Sequence, residues 1–351
     1  MIITILLFIL IFGLIVISHE FGHFLLAKKN GIRVVEFAVG MGPTLFSYTK
    51  GETKYCLKAF PIGGACVFDG DDGVMSTEEK AEDGSFLAAS VGGRISTVVA
   101  GPLFNFILAF ILALILVAFG GSDKPVVQKV SPAGAAEAAG IQSGDLITKI
   151  NGEKIHLYRQ VSLISALNKG ESLDITFERD GKKTNATVTP IYDEAADRYY
   201  IGLMGVGEYF KCNAVQVFQY SFYELEYWVR ATFKSLGMLF TGQVTKDDVG
   251  GPVMIAQIVG ETYETAKPYG ISSVILSLMN IAILLSVNLG ILNLLPVPAL
   301  DGGRLVFLLI EAVRGRPIAP EKEGMIHLAG MVVLMVLMVV VFFNDVSRLF
   351  T

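Results

Sequence analysis

Cysteine and charge are both scarce in this sequence. Its three cysteines, Cys56, Cys66 and Cys212, are too few and too scattered for a four-cysteine zinc cage or a disulfide framework. Charged residues make up 17% of the chain and hydrophobic residues 52%, while the net charge of −5 provides no basic footprint for nucleic acid. A mean hydropathy of +0.57 is typical of an integral membrane protein.

Charged residues are nearly absent from four stretches that are long enough to cross a bilayer. The first, residues 1–29, lacks both the basic start and the small-residue cleavage site of a signal peptide, so we expect it to be retained. Residues 95–119, 271–303 and 324–344 supply the other three candidates. The sequence therefore predicts a polytopic α-helical membrane protein with four transmembrane helices.

The basic residues predict how these helices are oriented. Lys28 and Lys29 end the first helix, and basic side chains recur in the predicted loop 304–323. Basic loops stay on the cytoplasmic side, so we expect this loop, together with the loop 74–94, to be cytoplasmic. Both chain termini and the large polar segment in the middle of the chain are then extracytoplasmic, and the inner (cytoplasmic) membrane is the expected location.

A metal-binding pattern lies inside the first apolar stretch. His19 and His23 are four residues apart and share one face of a helix, so both imidazoles reach a single metal ion. Glu20 is placed to hold a water molecule against that metal and to take its proton. Because ionisable residues are costly inside a membrane-length helix, we interpret this pattern as a catalytic metal site rather than a chance match.

A catalytic zinc ion needs a third protein ligand and an open fourth position. Asp301 is the favoured candidate, because it ends an apolar stretch at the same predicted depth and follows two prolines. His156 lies in the polar segment, on the opposite side of the membrane in the predicted topology. Glu36 and His327 are the next candidates.

Two further regions have their own character. Residues 30–73 contain short β-type runs separated by glycines, and we expect membrane-associated β-hairpins. An exposed edge of these strands would pair with an extended substrate segment, although a purely structural sheet explains the pattern as well. Residues 208–268 are amphipathic and suit an interfacial helix better than a membrane span.

The polar segment 121–207 mixes strand-like runs, one helical run and glycine turns. Its stretch 138–152, which reads AAGIQSGDLITKING, resembles the core signature of a PDZ domain. The resemblance implies an inserted extracytoplasmic PDZ domain that binds extended peptide at a sheet edge. A spacer domain without a ligand is the alternative.

The pairing of His19-Glu20-x-x-His23 with the run 293–303, NLLPVPALDGG, resembles the signature of the site-2 proteases. The nearest branch is the bacterial regulator-of-sigma-E proteases, here with a single PDZ domain. The resemblance implies Zn²⁺ held by His19, His23 and Asp301, with Glu20 activating the water molecule. It also implies that Asn293 contacts the substrate, although hydrogen bonding between helices would explain an asparagine there equally well.

The same resemblance implies a zinc metalloendopeptidase that works in regulated intramembrane proteolysis. Its substrates would be transmembrane segments of single-pass membrane proteins, such as anti-sigma factors already cut outside the membrane by a site-1 type protease. Remnant signal peptides are a second substrate class. An inactive adaptor and a zinc transporter are less favoured, because the four site residues are all present and converge at one predicted depth.

Overall fold

The computed structural model describes residues 2–70, 82–194, 198–243 and 250–348. The chain divides into two compact units, of which the first comprises Met1–Leu112 and Thr232–Thr351 and the second Ala113–Ala231. The predicted loop 74–94 lies partly outside the described residues.

Helices occur in both units. In chain order they are α1 (Ile2–Lys29), α2 (Val91–Gly120), α3 (Ala135–Ala138), α4 (Tyr158–Leu167), α5 (Ala214–Phe240), α6 (Pro252–Ala266), α7 (Ile271–Leu294), α8 (Asp301–Arg314) and α9 (Pro320–Arg348).

In the described part of the chain, two long strands belong to the first unit and ten shorter ones to the second. They are β1 (Val34–Lys50), β2 (Thr53–Phe68), β3 (Ser122–Lys124), β4 (Lys129–Val130), β5 (Leu146–Ile150), β6 (Glu153–Lys154), β7 (Leu173–Arg179), β8 (Lys182–Val188), β9 (Ile191–Asp193), β10 (Arg198–Tyr200), β11 (Leu203–Met204) and β12 (Glu208–Phe210).

Within the described residues, four helices are long and apolar enough to cross a membrane, namely α1, α2, α7 and residues 321–348 of α9. This confirms the predicted number of spans. The third helix ends at Leu294 rather than at residue 303, because Pro296 and Pro298 lack the N–H groups that would continue it. The second helix begins at Val91, four residues earlier than expected.

The segment 304–323, expected to be a loop, is helical through Arg314 as part of α8. Its buried Leu308 packs in the same apolar cluster as Leu305, which gives the segment an apolar face. Glu311 on this helix is also buried. The prediction of a loop was wrong for this part, because Arg304 and Arg314, two of the basic residues that suggested it, lie on a short helix with a buried apolar face.

Strands β1 and β2 confirm the expected hairpin structure. Both are bent at glycines with positive φ, Gly40 and Gly42 in β1 and Gly63 in β2. Residues 36–39 pair with 64–67 on one side and with 54–57 on the other, while 44–50 pair with 53–58. The two bent strands therefore form a small sheet of four segments.

The second unit has its own core and a four-stranded sheet in the order β6-β5-β7-β8. Helix α4 and strand β7 fall where the sequence places a helix and a strand within residues 121–207. A buried ionic group joins three elements here: Arg159 of α4 lies 3.3 Å from Asp123 of β3 and 2.9 Å from Glu224 of α5. Burial raises the pKa of Glu224 to about 7 even though Arg159 lowers it. The PDZ assignment stays a prediction.

A buried ion pair joins α2 to α8 in the first unit. The Arg94 guanidinium donates to both carboxylate oxygens of Glu311, at 3.0 and 2.6 Å, and both residues are less than 10% exposed. Since α8 begins at Asp301, this pair fixes the helix that presents the predicted third ligand.

We expect Arg94→Met to destabilise the protein by about 3–5 kcal/mol, because it leaves the Glu311 carboxylate buried without a counter-charge. Unfolding in detergent, followed by circular dichroism, measures the loss. Adding Glu311→Leu should recover most of it. Lys28→Met, which removes the more exposed Lys28–Glu52 pair, is the control and should leave the stability close to that of the wild type. An Arg94→Met variant as stable as the wild type would contradict this account.

Candidate metal centre

Helix α1 presents the two predicted histidine ligands together. His19 and His23 are one helical turn apart, and their side chains are buried. Their rings meet edge to face with centroids 4.8 Å apart, and the two Nε2 atoms are 3.2 Å from each other. The helical spacing therefore directs both Nε2 atoms to one point.

Asp301 reaches the same point from the start of α8. Its Oδ2 lies 3.2 Å from Nε2 of His19 and 3.4 Å from Nε2 of His23. These three residues are a group that is close enough to hold one metal ion. Ligand atoms bound tetrahedrally at about 2.0–2.1 Å from zinc are separated by about 3.3–3.4 Å, so the observed triangle has the dimensions of a zinc site.

The His23 ring is held by a backbone carbonyl. Its Nδ1 lies 2.9 Å from the carbonyl oxygen of Thr97, on α2. A carbonyl only accepts hydrogen bonds, so Nδ1 carries the proton and the lone pair of Nε2 faces His19 and Asp301. This tautomer is the one that binds a metal through Nε2.

Asn105 of α2 has the corresponding place beside His19. Its fully buried side-chain amide lies 3.2 Å from Nδ1 of that ring. The atom at this distance is the amide nitrogen, Nδ2. A half-turn of the amide exchanges Nδ2 and Oδ1, and Oδ1 would then accept a hydrogen bond from the Nδ1–H that His19 carries with a metal on Nε2. The Nε2 lone pairs of His19 and His23 and a carboxylate oxygen of Asp301 then face one another with no hydrogen-bond donor among them. A cation at this point would be bound by all three atoms.

Two glycines allow α1 and α2 to approach each other closely. A Cβ atom at Gly22 would lie 2.3 Å from the carbonyl oxygen of Ala100, and one at Gly101 would lie 2.2 Å from Nε2 of His23. Neither position has room for any side chain. The space beside the His23 ring therefore depends on glycine at position 101.

Glu20 lies next to strand β2. The side chain is half-buried, and the backbone N–H of Cys66 donates to its carboxylate. Gly64 packs directly on it, because a Cβ atom there would lie 2.7 Å from Cγ of Glu20 and 2.9 Å from Cγ1 of Val16. The small sheet thus borders the carboxylate that is predicted to activate water.

The other predicted site residues are not members of the group of three that could hold a metal. Asn293 is half-buried in the last turn of α7, eight residues before Asp301. His156 stacks on Tyr223 in the second unit, with ring centroids 3.9 Å apart. Glu36 pairs with Lys58 inside the small sheet, at 2.7 Å.

Sequence reasoning did not find the supporting groups. Thr97 acts through its backbone carbonyl, which leaves no trace in side-chain chemistry. Asn105 is 86 residues from His19 in the chain, so no local pattern links the two side chains. Gly22 and Gly101 carried a usable signal, since a glycine in each of two apolar helices indicates close helix packing.

Gly101→Ala should abolish metal binding while the protein remains folded, because the new methyl group collides with Nε2 of His23. Bound zinc per chain, measured by elemental analysis after purification, should fall from about one toward zero. Gly92→Ala, on the same helix with open space around its Cα, is the matched control and should retain the metal. A zinc-loaded Gly101→Ala protein would show that the metal lies elsewhere.

The sequence comparisons identify the family. The pattern of the family described as Peptidase family M50 matches residues 7–337. The chain is 35% identical over 419 aligned positions to the zinc metalloprotease RasP of Geobacillus kaustophilus, covering 98% of this chain and 97% of the relative. It is 36% identical over 341 positions to the putative zinc metalloprotease CA_C1796 of Clostridium acetobutylicum, with 96% of each chain covered.

A third relative is the regulator of sigma-W protease RasP of Bacillus subtilis, 31% identical over 425 positions, with 99% of each chain covered. These matches run over nearly the whole chain, through both the histidine motif and the segment that contains Asp301. Together with the four membrane-length helices, they show that the chain belongs to peptidase family M50 and is an intramembrane zinc metalloprotease.

Proposed function

We propose that this protein is an endopeptidase that cuts transmembrane segments of single-pass membrane proteins. His19, His23 and Asp301 are the zinc ligands, and Glu20 is the general base. The observation that carries the proposal is the triangle of two Nε2 atoms on the apolar helix α1 and one carboxylate oxygen at the start of α8, 3.2–3.4 Å on each side. A buried set of ligands with this spacing suits one zinc ion and leaves a fourth position for water.

Zinc bound by these residues supplies Lewis acidity to the attacking water and to the scissile carbonyl. The Glu20 carboxylate takes a proton from the water and then delivers it to the leaving nitrogen. Its position favours this role, because it follows His19 directly on α1 and is fixed by the N–H of Cys66. Fixing the carboxylate lowers the entropic cost of the proton transfer.

A transmembrane helix must be unwound before cleavage, because its own hydrogen bonds occupy the scissile carbonyl. The small sheet suits an extended segment. Residues 64–67 pass beside Glu20 and pair with 36–39. We propose that an extended substrate segment lies along this sheet beside Glu20, and that Asn293 contacts it from the end of α7.

The substrates that we propose are anti-sigma factors that a site-1 type protease has already shortened outside the membrane. One relative is named as a regulator of sigma-W protease, which supports a substrate of this type. Remnant signal peptides are the second proposed class. Both present a single short transmembrane segment in the bilayer.

We further propose that the enzyme lies in the cytoplasmic membrane with the metal centre toward the cytoplasm. The second unit is then an extracytoplasmic PDZ domain that admits only trimmed substrates. Its sheet and α4 support the assignment, as does the antiparallel bridge between Val126 and Leu146, which extends the sheet toward the start of the unit. The exposed apolar side chains of Leu45 and Phe46 at the far end of the hairpin suit contact with lipid.

The roles of Glu20 and the ligands are separable. In liposomes that contain a single-pass substrate with a trimmed ectodomain, Glu20→Gln should keep about one zinc per chain and lose about 10²–10⁴ in cleavage rate, because it removes only the base. Asp301→Asn should lose zinc and cleavage together. Gel-based cleavage rates and zinc content are the two measurements.

Glu321→Gln, an exposed carboxylate on α9, is the control and should behave like the wild type. A Glu20→Gln enzyme that cuts at the wild-type rate would remove Glu20 from the mechanism. The same assay is run with the substrate that keeps its full ectodomain. If the wild-type enzyme cuts the intact and the trimmed substrate equally well, the proposed requirement for a first cut is wrong.

Orientation is tested with single cysteines in a background in which Cys56, Cys66 and Cys212 are replaced by serine. Cysteines at Ser143 and Ser347 should react with a membrane-impermeant maleimide in intact cells. A cysteine at Arg316 should react only after permeabilisation, since basic segments stay inside. All three positions are exposed. The reverse labelling pattern would invert the proposed topology.

A further inference from the structure

Asp301 is delivered by a tight bend between α7 and α8. Within it, the N–H of Val297 donates to the carbonyl of Leu295 at 2.7 Å, and the N–H of Leu300 donates to the carbonyl of Val297 at 3.1 Å. Ala299 has φ of +74°, a left-handed conformation that is unfavourable for alanine. A conformation of this kind persists only when its surroundings hold it in place.

Helix α9 supplies that support through two residues one turn apart. Nδ1 of His327 accepts a hydrogen bond from the backbone N–H of Ala299, at 2.9 Å. Gly330 packs on the residue before it, because a Cβ atom there would lie 2.4 Å from Cβ and 2.6 Å from the carbonyl oxygen of Pro298. Positions 327 and 330 lie on the same face of the helix and hold neighbouring residues of the bend.

The His327 ring is itself oriented from two sides. Its centroid lies 5.5 Å from that of Phe307 on α8, and its Nε2 lies 3.9 Å from Oε1 of Glu323, one turn earlier on α9. Because Nδ1 accepts a hydrogen bond, the proton of the neutral ring is on Nε2. The ring thus bridges α9, the bend and α8.

The contacts of His327 and Gly330 contrast with the rest of α9, most of which is exposed. None of its most apolar 18 residues is buried in the described structure. Near its far end, Asp345 accepts hydrogen bonds from the N–H groups of Gly251 and Met254, at 3.0 and 3.1 Å. Helix α9 therefore contacts the rest of the first unit near each of its ends. One of these contacts is with the bend that precedes Asp301.

We propose that His327 and Gly330 clamp the bend at Pro298 and Ala299, and that His327 is a positioning residue that sets zinc affinity through Asp301. The clamp keeps the Asp301 carboxylate at the distances that match tetrahedral zinc. This inference rests on the proposed role of Asp301 as a ligand. It assigns a role in the metal site to a helix that contributes none of the proposed ligands.

The test compares two substitutions that separate the hydrogen bond from the packing. His327→Phe keeps an aromatic ring against Phe307 and removes the acceptor. His327→Asn places a side-chain oxygen near the position of Nδ1 and keeps the acceptor. Leu328→Phe, at the adjacent exposed position, is the matched control. Zinc affinity of the full chain in detergent is measured by competition with a chelator, with Asp301→Asn as the reference.

We expect His327→Phe to weaken zinc binding at least tenfold, and His327→Asn and Leu328→Phe to stay within about threefold of the wild type. Hydrogen–deuterium exchange of the zinc-free protein gives a readout independent of the metal. The amide of Ala299 should exchange faster in His327→Phe and at the wild-type rate in His327→Asn. If His327→Phe does not fold, Gly330→Ala, which displaces Pro298 and leaves His327 intact, should weaken zinc binding instead.

The outcomes separate the inference from the proposed function. If Asp301→Asn weakens zinc binding and His327→Phe does not, the clamp is wrong and the ligand assignment stands. If Asp301→Asn binds zinc like the wild type, the ligand assignment itself fails. Equal losses in His327→Phe and His327→Asn would also overturn the inference, because they would point to a direct ligand or a purely structural residue.

Discussion

The structure depends on the close contact between α1 and α2. A metal site inside apolar helices requires buried polar groups, and each of them must find a partner. Here the contact supplies the partners: the carbonyl of Thr97 and the amide of Asn105 orient the two histidine rings, and the missing side chain of Gly101 leaves space beside Nε2 of His23. The ring nitrogens consequently face one point, and fixing them there reduces the cost of ordering them around a metal.

The third proposed ligand reaches this point by a different route. Asp301 is the first residue of α8. The prolines after α7 and the contact of α9 with the bend lie just before it, and the Arg94–Glu311 ion pair joins α8 to α2. Strand β2 places a backbone N–H on Glu20. The proposed metal site therefore depends on elements that are distant in sequence.

Much of this was predictable from the sequence, since the signals were local. Four apolar stretches predicted the spans, and the helical period brought His19 and His23 together. Asp301 was inferred from its setting rather than from any link to α1, and the structure brings it to the histidines. Helix α8 was missed because basic residues directly after a predicted span were interpreted as a cytoplasmic loop. The contact of His327 with the bend was missed because a single hydrogen bond to the backbone leaves no sequence pattern.

The most direct test of the central claim is the X-ray absorption spectrum of the zinc bound to the purified protein. The account predicts nitrogen and oxygen ligands at about 2.0–2.1 Å, with outer-shell scattering from two imidazoles and no sulfur. Sulfur at about 2.3 Å would place the metal on the cysteines of β2, and scattering from three imidazoles would make a further histidine a ligand in place of Asp301. Either result would contradict the site described here.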